Sequence, residues 1–415
     1  MVDLYQDSQK IIAGAIAAVL PDAAVCRALE GREFPGRVIL VSVGKAAWQM
    51  AKTAAEQLGE RITAGIVITK YGHVKHPLPG ILCREAGHPV PDENTFCATR
   101  EALDLVSRLR PQDTVLLLLS GGGSALFEDP LIPPQELQDI TAQLLASGAD
   151  IVEMNTIRKR LSAVKGGRFA LLCQPAQVFA VVLSDILGDP LDMIASGPAC
   201  PDSSTCAQAL DIAERYSLKL SEKARTCLGV ETPKALGNVS TQITGSVRQL
   251  CEAAAKCCRE LGYETQILTD HLDWEAKDAG AWLGEQAKQH SGDGKKLAFI
   301  AGGETVVKLT GKGKGGRNQE LALSAARYIE GLDNVAVFSV GSDGTDGPTD
   351  AAGGYVDGST VGKLRSQGIQ IQRVLQENDA YHALEKTDGL IITGPTGTNV
   401  NDISVALIHG EKPLE

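Results

Sequence analysis

The segment 311–320 places glycines and cations together at the start of a predicted helix. It reads Gly-Lys-Gly-Lys-Gly-Gly-Arg-Asn-Gln-Glu, so Gly315, Gly316 and Asn318 flank Arg317. Backbone N–H groups at a helix N-terminus, together with cationic side chains, form a site for phosphate or carboxylate. Arg317 can offer such an oxyanion two parallel hydrogen bonds, which a lysine cannot. The alternative is a solvated basic loop with no ligand.

A second cation and a second glycine loop follow apolar runs in the first half of the chain. Lys45 comes directly after the run 37–43 and Gly44. A lysine at a helix start opposes the helix dipole, which favours a functional role, and it can neutralise charge on a phosphoryl group in transfer. The run 114–119 ends in a loop of small polar residues: Ser120, Gly121, Gly122, Gly123 and Ser124.

Carboxylates stand at the ends of other predicted strands. They are Asp185, Asp189, Glu304, Asp343, Asp346 and Asp350. Mg²⁺ prefers one or two protein oxygens together with phosphate oxygens, so carboxylates in this position suit a magnesium nucleotide. The alternative is that they form Asx turns and helix caps, which we favour for Asp346 and Asp350.

Other polar groups are expected to have ordinary roles. The stretch 155–168 carries five lysines and arginines, about half of which we expect on the solvent-exposed face of a helix. His73, His76 and His88 lack partners at metal-ligand spacing and are interpreted as loop residues. Ser124 lacks the G-x-S-x-G elbow of a hydrolase nucleophile.

Neither of two common nucleotide-binding motifs is complete in the chain. The segment 311–316 matches G-x-G-x-x-G formally, but no acidic residue ends a following strand at the distance that a dinucleotide site requires. No Gly-Lys is followed by Ser or Thr, so a Walker P-loop is absent. A nucleotide site must therefore be of another kind.

The composition limits the possible partners. Of the 415 residues, 43% are hydrophobic and 22% charged, and the net charge of −11 argues against nucleic acid or an anionic membrane. The apolar run 11–20 is too short to span a bilayer and lacks a basic flank. Ten cysteines without a C-x-x-C pair indicate a reducing compartment and no zinc site. We therefore expect a cytoplasmic protein.

The repeating pattern is an apolar run, a glycine turn and then an amphipathic helix. It predicts α/β domains with mainly parallel sheets covered by helices, in which ligands bind beyond the carboxyl ends of the strands. The length predicts two domains. A polar, turn-rich stretch at 221–238 places the boundary, giving domains 1–234 and 235–415.

Several motifs resemble one family, the class II glycerate 2-kinases, whose C-terminal part is called MOFRL. The similar segments include 43–47, 87–95, 119–125, 155–168, 183–189 and 196–199 in the first half. The second half adds 302–305, 315–320, 341–350 and 394–402. The resemblance spans nearly the whole chain.

The resemblance implies two Rossmann-like α/β domains with the active site in the cleft between them, and an ATP- and Mg²⁺-dependent kinase that makes 2-phosphoglycerate from D-glycerate. Lys45 and Arg317 would be the catalytic cations, holding the phosphoryl charge and the carboxylate. Three residues are assigned to the metal: Asp189, Glu304 and Asp343. The residues assigned to substrate or nucleotide are Gly44, the loop 120–124, Asp185, Gly302, Gly303, Gly315, Gly316 and Asn318. The partners are glycerate and ATP, and the protein is expected to be a monomer or homodimer.

Two other hypotheses about the function remain open. A nicotinamide-dependent hydroxypyruvate reductase requires an acidic ribose partner and an Arg–His–acid set, of which only the anion-binding part is visible. A non-catalytic sensor of phosphometabolites would keep the glycine loops. The carboxylates at 185, 189 and 343 argue against it.

Overall fold

The computed structural model describes residues 4–410, and the chain divides into two compact units. The N-terminal unit contains Ala24–Leu183 and Asp189–Thr244. The C-terminal unit contains residues 4–23, the short segment Ser184–Gly188 and residues 245–410. Each unit has its own sheet and its own hydrophobic core.

The elements follow one another in the order α1 (Leu4–Ala18), α2 (Pro21–Leu29), β1 (Val38–Val43), α3 (Ala47–Leu58), β2 (Ile62–Lys70), β3 (Ile81–Ala86), α4 (Glu93–Leu105), β4 (Thr114–Leu119), α5 (Gly123–Leu126), α6 (Pro134–Ala146), α7 (Ile151–Arg160), α8 (Arg168–Leu172), β5 (Gln177–Leu183), α9 (Cys206–Arg215), α10 (Glu222–Leu228) and β6 (Val239–Gly245). The chain continues with α11 (Val247–Glu260), β7 (Glu264–Leu272), α12 (Ala276–His290), β8 (Leu297–Gly303), α13 (Arg317–Ala326), β9 (Val335–Gly341), β10 (Gly353–Asp357), α14 (Thr360–Ser366), α15 (Ile371–Gln376), α16 (Ala380–Glu385), β11 (Leu390–Ile391) and β12 (Asp402–Ile408). Short 3₁₀ turns lie at Gly59–Arg61 and Ile194–Ser196.

The N-terminal sheet has the strand order β3-β2-β1-β4-β5-β6. Strands β1 to β5 pair in parallel. Strand β6 runs the same way, because the N–H groups of Val178 and Ser184 donate in that order to Asn238 and Gly245. Every residue of the central strands β1 and β4 is buried, as expected for strands covered by helices on both faces. The prediction of a parallel α/β sheet is confirmed here.

The C-terminal sheet has the order β11-β10-β9-β12-β8-β7. Strands β7, β8, β9 and β11 point one way, and β10 and β12 point the other. Most strands therefore share a direction, as predicted, but four of the five neighbouring pairs are antiparallel. A continuous apolar run shows that a strand is covered on both faces and does not show its direction.

The division into units differs from the predicted boundary after residue 234. Helix α1 belongs to the C-terminal unit, where Ile11 and Ile12 share a hydrophobic core with Leu250 and Ala254 of α11. The segment Ser184–Gly188 also belongs to that unit. An amphipathic pattern shows that a helix has an apolar face, and it does not identify the sheet that this face covers.

No single helix among residues 4–410 is long and apolar enough to cross a membrane, although the consecutive helices α1 and α2, taken together, pass the same test of length and composition.

Candidate active site

Lys45 lies at the carboxyl end of β1, in the middle of the N-terminal sheet. Gly44 turns the chain there with a φ of +122°, which side chains rarely allow, and a Cβ on it would overlap the Ser120 hydroxyl. That hydroxyl accepts the Ala46 N–H at 3.1 Å. The Lys45 N–H donates to the Gly121 carbonyl at 2.9 Å. The backbone at Lys45 is therefore held against the glycine loop that follows β4.

The side chain of Lys45 is exposed and has no hydrogen-bond or ion-pair partner within residues 4–410. Gly122 has a φ of +86°, and a Cβ on it would lie 3.3 Å from Cγ of Lys45 and 3.0 Å from the His88 ring. Burial, followed by the charges of Lys45 and Lys70, lowers the pKa of His88. The structure thus brings the predicted loop and Lys45 together. It adds His88, which the sequence had led us to treat as an ordinary loop residue.

The cations of α7 and the loop after it are more deeply buried than predicted. Lys159 is 3% exposed, and Arg160 and Lys165 are fully buried. Their acidic partners are Asp192, Asp202, Glu231 and Glu128. The expectation that about half of these charges lie on the solvent-exposed face of a helix is therefore wrong. The partners are distant in the sequence, so the local charge pattern could not reveal them.

Three carboxylates share one edge of the C-terminal sheet. Asp402 begins β12, and its neighbours across the sheet are Gly303 and Gly341, the last residues of β8 and β9. Glu304 follows the first of these glycines, and Asp343 lies two residues after the second. Glu304 and Asp343 were predicted from the sequence. Asp402 was not assigned a role, although it ends one of the segments that resemble the kinase family.

The guanidinium of Arg317 lies among these carboxylates. Its Nε and Nη2 donate to Asp402 at 2.5 and 3.1 Å, and its Nη1 donates to Glu304 at 2.8 Å. The Asp402 side chain is only 8% exposed, and burial raises its pKa although Arg317 opposes the rise. Burial would lower the pKa of Arg317, but the hydrogen bonds and charge of Asp402 raise it. Arg317 is therefore a cation already bound by two carboxylates.

The start of α13 is also occupied by the protein's own groups. Asp346 accepts the N–H groups of Asn318 and Gln319 at 3.1 and 2.9 Å, and burial raises its pKa to about 7. Asp346 thus has the capping role that we favoured. Asn318 is buried and bonds through its side chain to Asp346 and Ser339. The predictions that the helix start after Gly315 and Gly316 receives an oxyanion, and that Asn318 contacts ligand, are not supported by these contacts.

Asn401 joins the carboxylate edge to the loop that carries Asp185. Its Nδ2 donates to Glu304 Oε2 at 3.0 Å and to the Asp185 carbonyl at 3.1 Å. The residue is 3% exposed and has a φ of +67°, a conformation that asparagine adopts more readily than most residues. No pattern in the sequence pointed to this role. Its carboxamide links two predicted site residues that are over one hundred positions apart.

The packing around Gly302 and Gly303 explains why neither position carries a side chain, and their contact with a ligand stays a prediction. Both lie inside β8 and are buried. A Cβ on Gly302 would overlap Cys251, and one on Gly303 would overlap the Leu272 backbone. Close packing therefore accounts for both glycines.

The predicted magnesium ligands do not form a preassembled centre. No group of three acidic, histidine or cysteine side chains within residues 4–410 is placed to hold a metal ion. Glu304 is paired with Arg317 and Asn401. Asp343 Oδ1 accepts the Thr345 N–H at 2.9 Å. Asp189 Oδ1 is buried without a partner in the described chain. A cation that arrives with its own phosphate ligands fits these residues better than a metal held by protein alone.

Replacing Asn401 by glycine tests whether this residue positions the site. Glycine can adopt the same left-handed backbone conformation but removes both hydrogen bonds. Glu304 and the Asp185 loop then lose the side chain that connects them. We expect kcat/KM to fall roughly 10- to 100-fold, the size of loss that a small misplacement of catalytic groups produces. Steady-state kinetics of the purified variant would measure it.

Asn238→Ala is the matched control for Asn401→Gly. Asn238 is also buried, donates twice from Nδ2 (to the carbonyls of Ala170 and Ala176) and has an unpartnered Oδ1. It precedes β6, at the opposite edge of its sheet from the strand ends. We expect a lower Tm with unchanged kcat/KM. Equal loss of activity in the two variants would show that Asn401 matters only for folding.

The fold and the site together define a class. Each unit is an α/β structure with charged side chains at the edge where strands of its sheet end, the place where such folds bind ligands. Free cationic charge, glycine loops and adjacent carboxylates suit an enzyme that acts on small phosphorylated or carboxylated molecules.

Comparison with known proteins gives the family. Residues 7–229 match a domain of unknown function, DUF4147, and residues 297–402 match the MOFRL family. The chain is 52% identical to the D-glycerate 2-kinase of Thermotoga maritima, over 96% of this chain and 97% of the relative. It is 38% identical to a putative hydroxypyruvate reductase of Agrobacterium vitis, over 98% and 95%. The crystal structure of a glycerate kinase from Thermotoga maritima matches with a TM-score of 0.94 and 51% identity, over 98% of this chain and 99% of that one. The chain belongs to the class II glycerate 2-kinase family.

Proposed function

We propose that this protein transfers the γ-phosphoryl group of ATP to the 2-hydroxyl group of D-glycerate. The observation that carries the proposal is the unpartnered lysine beside a glycine loop at the end of β1, in a member of this kinase family. Phosphoryl transfer depends on positioning and charge neutralisation rather than on a strong nucleophile. Lys45, whose amine is bound by no protein group among those described, is available to neutralise the charge on the transferring group.

Arg317 has a second role in this proposal. Three of its N–H groups are used by Asp402 and Glu304, and a guanidinium has five. The remaining N–H groups can donate to an oxygen of the phosphoryl group from a fixed direction, because the carboxylates hold the guanidinium plane. That Lys45 and Arg317 act in a cleft between the domains stays a prediction.

Magnesium is proposed to enter as part of the ATP complex. It would neutralise the β- and γ-phosphates, as in other phosphoryl transfers. Asp343 and Asp189 each have a carboxylate oxygen with no protein partner within residues 4–410, which makes them the residues best suited to contact the cation or its water ligands. Glu304 is the least suited of the predicted ligands, because Arg317 and Asn401 occupy its oxygens.

The cytoplasm is the proposed location. The ten cysteines are all free thiols, which is typical of a reducing compartment. Whether the protein is a monomer or a homodimer stays a prediction.

A pair of assays tests the function. Purified protein is mixed with ATP, Mg²⁺ and D-glycerate in the presence of enolase and no phosphoglycerate mutase, so that only 2-phosphoglycerate gives the enolase product. A parallel reaction contains NADH and hydroxypyruvate. We expect ATP-dependent enolase product and no oxidation of NADH.

The opposite results have distinct meanings. Oxidation of NADH without ATP turnover would establish the reductase instead. Turnover of ATP with no enolase signal, and with a signal on adding the mutase, would place the phosphate on the 3-hydroxyl and contradict the 2-kinase proposal.

A further inference from the structure

Arg158 is a half-buried cation of the N-terminal unit. It lies in the last turn of α7, a helix whose start is fixed by a capping box between Asp150 and Glu153. Its hydrogen bond to the protein is a long one, from Nη2 to the Ser124 carbonyl at 3.4 Å. No ion pair involves Arg158 within residues 4–410. Removing a charge from water without a counter-ion is costly. A bound anion next to Arg158 would offset this cost.

The acidic group whose charge acts on Arg158 is already paired with another cation. Glu128 is fully buried, and its Oε2 pairs with the Lys165 ammonium at 2.5 Å. Burial lowers the pKa of Arg158, and the charge of Glu128 offsets only part of that effect. Arg158 and Lys165 thus face a single carboxylate, which leaves one positive charge uncompensated.

The other cations of the same stretch have structural explanations. Lys159 pairs with Asp192 and Asp202, each at 3.2 Å. Arg168 donates to the Ser162 carbonyl at 2.7 Å and to the Arg160 carbonyl at 3.3 Å, where it covers the end of α7. Arg158 lacks contacts of comparable strength.

Arg158 is also placed beside the glycine loop at the opposite end from Lys45. Ser124 ends this loop, and its hydroxyl lies 3.0 Å from the Ser196 hydroxyl, which donates to Asn155 Oδ1 at 3.0 Å. Hydroxyl groups next to a guanidinium with free N–H groups suit a small hydroxy acid. A guanidinium also matches a carboxylate in geometry and in charge.

We propose that Arg158 binds the carboxylate group of the acceptor substrate in the N-terminal unit, the role that the sequence had led us to share between Arg317 and Lys45. Arg317 is left for the phosphoryl group, to which it donates from the N–H groups that Asp402 and Glu304 do not use. The inference rests on the proposed function, since it takes D-glycerate as the acceptor.

The test compares Arg158→Met and Arg158→Lys with the unmodified enzyme. Losing one partner of a desolvated charge pair costs about 2 kcal/mol or more, so the methionine variant should raise the KM for D-glycerate by roughly 30-fold or more. The KM for ATP should stay within about twofold, since the proposed partner is not a phosphate. The lysine variant keeps the charge but loses the pair of parallel N–H donors. Its KM for D-glycerate should therefore lie between those of the unmodified enzyme and the methionine variant. Calorimetric titration of D-glycerate without ATP should show the same order of affinities.

Arg168→Met is the control, because it removes a half-buried arginine that bonds only to backbone carbonyls. It should lower Tm and leave the KM for D-glycerate unchanged. A rise confined to the KM for ATP would mean that Arg158 binds a phosphate, and it would overturn the inference. Unchanged KM values with a lower Tm would make Arg158 a structural counter-ion of Glu128 and also overturn it. If Arg158→Met does not fold, the lysine variant decides by the same criteria.

Failure of the proposed function would look different. In that case the unmodified enzyme itself would neither bind nor phosphorylate D-glycerate, and both proposals would fall. If the unmodified enzyme phosphorylates D-glycerate and the Arg158 variants have the same KM for D-glycerate, only the inference about Arg158 is wrong.

Discussion

Lys45→Ala is expected to lower kcat by about 10²- to 10³-fold, the loss that follows removal of one preorganised group from a site of developing charge. The Lys45 side chain is exposed and unpartnered in the described chain, so the change in the free energy of unfolding should stay within about 0.5 kcal/mol. Steady-state kinetics and thermal unfolding of the same preparation would measure both quantities.

Two further variants sharpen the test of Lys45. Lys45→Arg keeps the charge but moves it, and it should recover only part of the rate. Lys52→Ala removes a partly buried lysine of α3 that pairs with Glu56 at 2.6 Å and should retain full activity. A Lys45→Ala enzyme with near-normal kcat would exclude this lysine from the reaction.

Arg317→Ala is expected to abolish most activity and also to destabilise the C-terminal unit. Because Asp402 is buried and pairs with Arg317 through two hydrogen bonds, removal of the guanidinium leaves a buried carboxylate without its cation. Such a loss typically costs about 3–5 kcal/mol. We expect kcat/KM to fall by about 10³-fold, measured alongside urea denaturation.

Adding Asp402→Asn to Arg317→Ala separates the two effects. The double variant removes the stranded charge, so it should regain most of the stability while activity stays low. The pH dependence gives a second check. Without Arg317 the pKa of folded Asp402 lies further above its unfolded value, so the single variant should be most stable at low pH and lose stability as pH rises through the folded pKa. A double variant as active as the unmodified enzyme would contradict the role of Arg317.

Part of the site was predictable because it is local in the sequence. An apolar run that ends in Gly44 and Lys45 places the lysine at a strand end, whatever the rest of the chain does. The same holds for the loop 120–124 after β4 and for Glu304 after β8. Each of these residues lies at the end of the strand that the apolar run predicted, because the position where a strand ends depends on the local sequence.

Other parts of the site depend on pairings between distant segments. Asp402 reaches the carboxylate edge because β12 inserts between β8 and β9 in the reverse direction. Asn401 meets the Asp185 loop across more than two hundred residues of chain. The cations of α7 are buried because their acidic partners return from later segments. Hydrophobic periodicity contains no information on these pairings.

The sequence by itself determined the α/β class, the strand-end loops, the family and the two cations Lys45 and Arg317 as candidates. It did so because local patterning decides where strands stop, and motifs of this length are specific. Only the tertiary structure decided which charges are free. Arg317 is paired with the buried Asp402 and the half-exposed Glu304. Within the described residues, the Lys45 side chain has no partner and Arg158 has no ion-pair partner. A charge is neutralised by whatever lies near it in space, and that proximity is set by the fold.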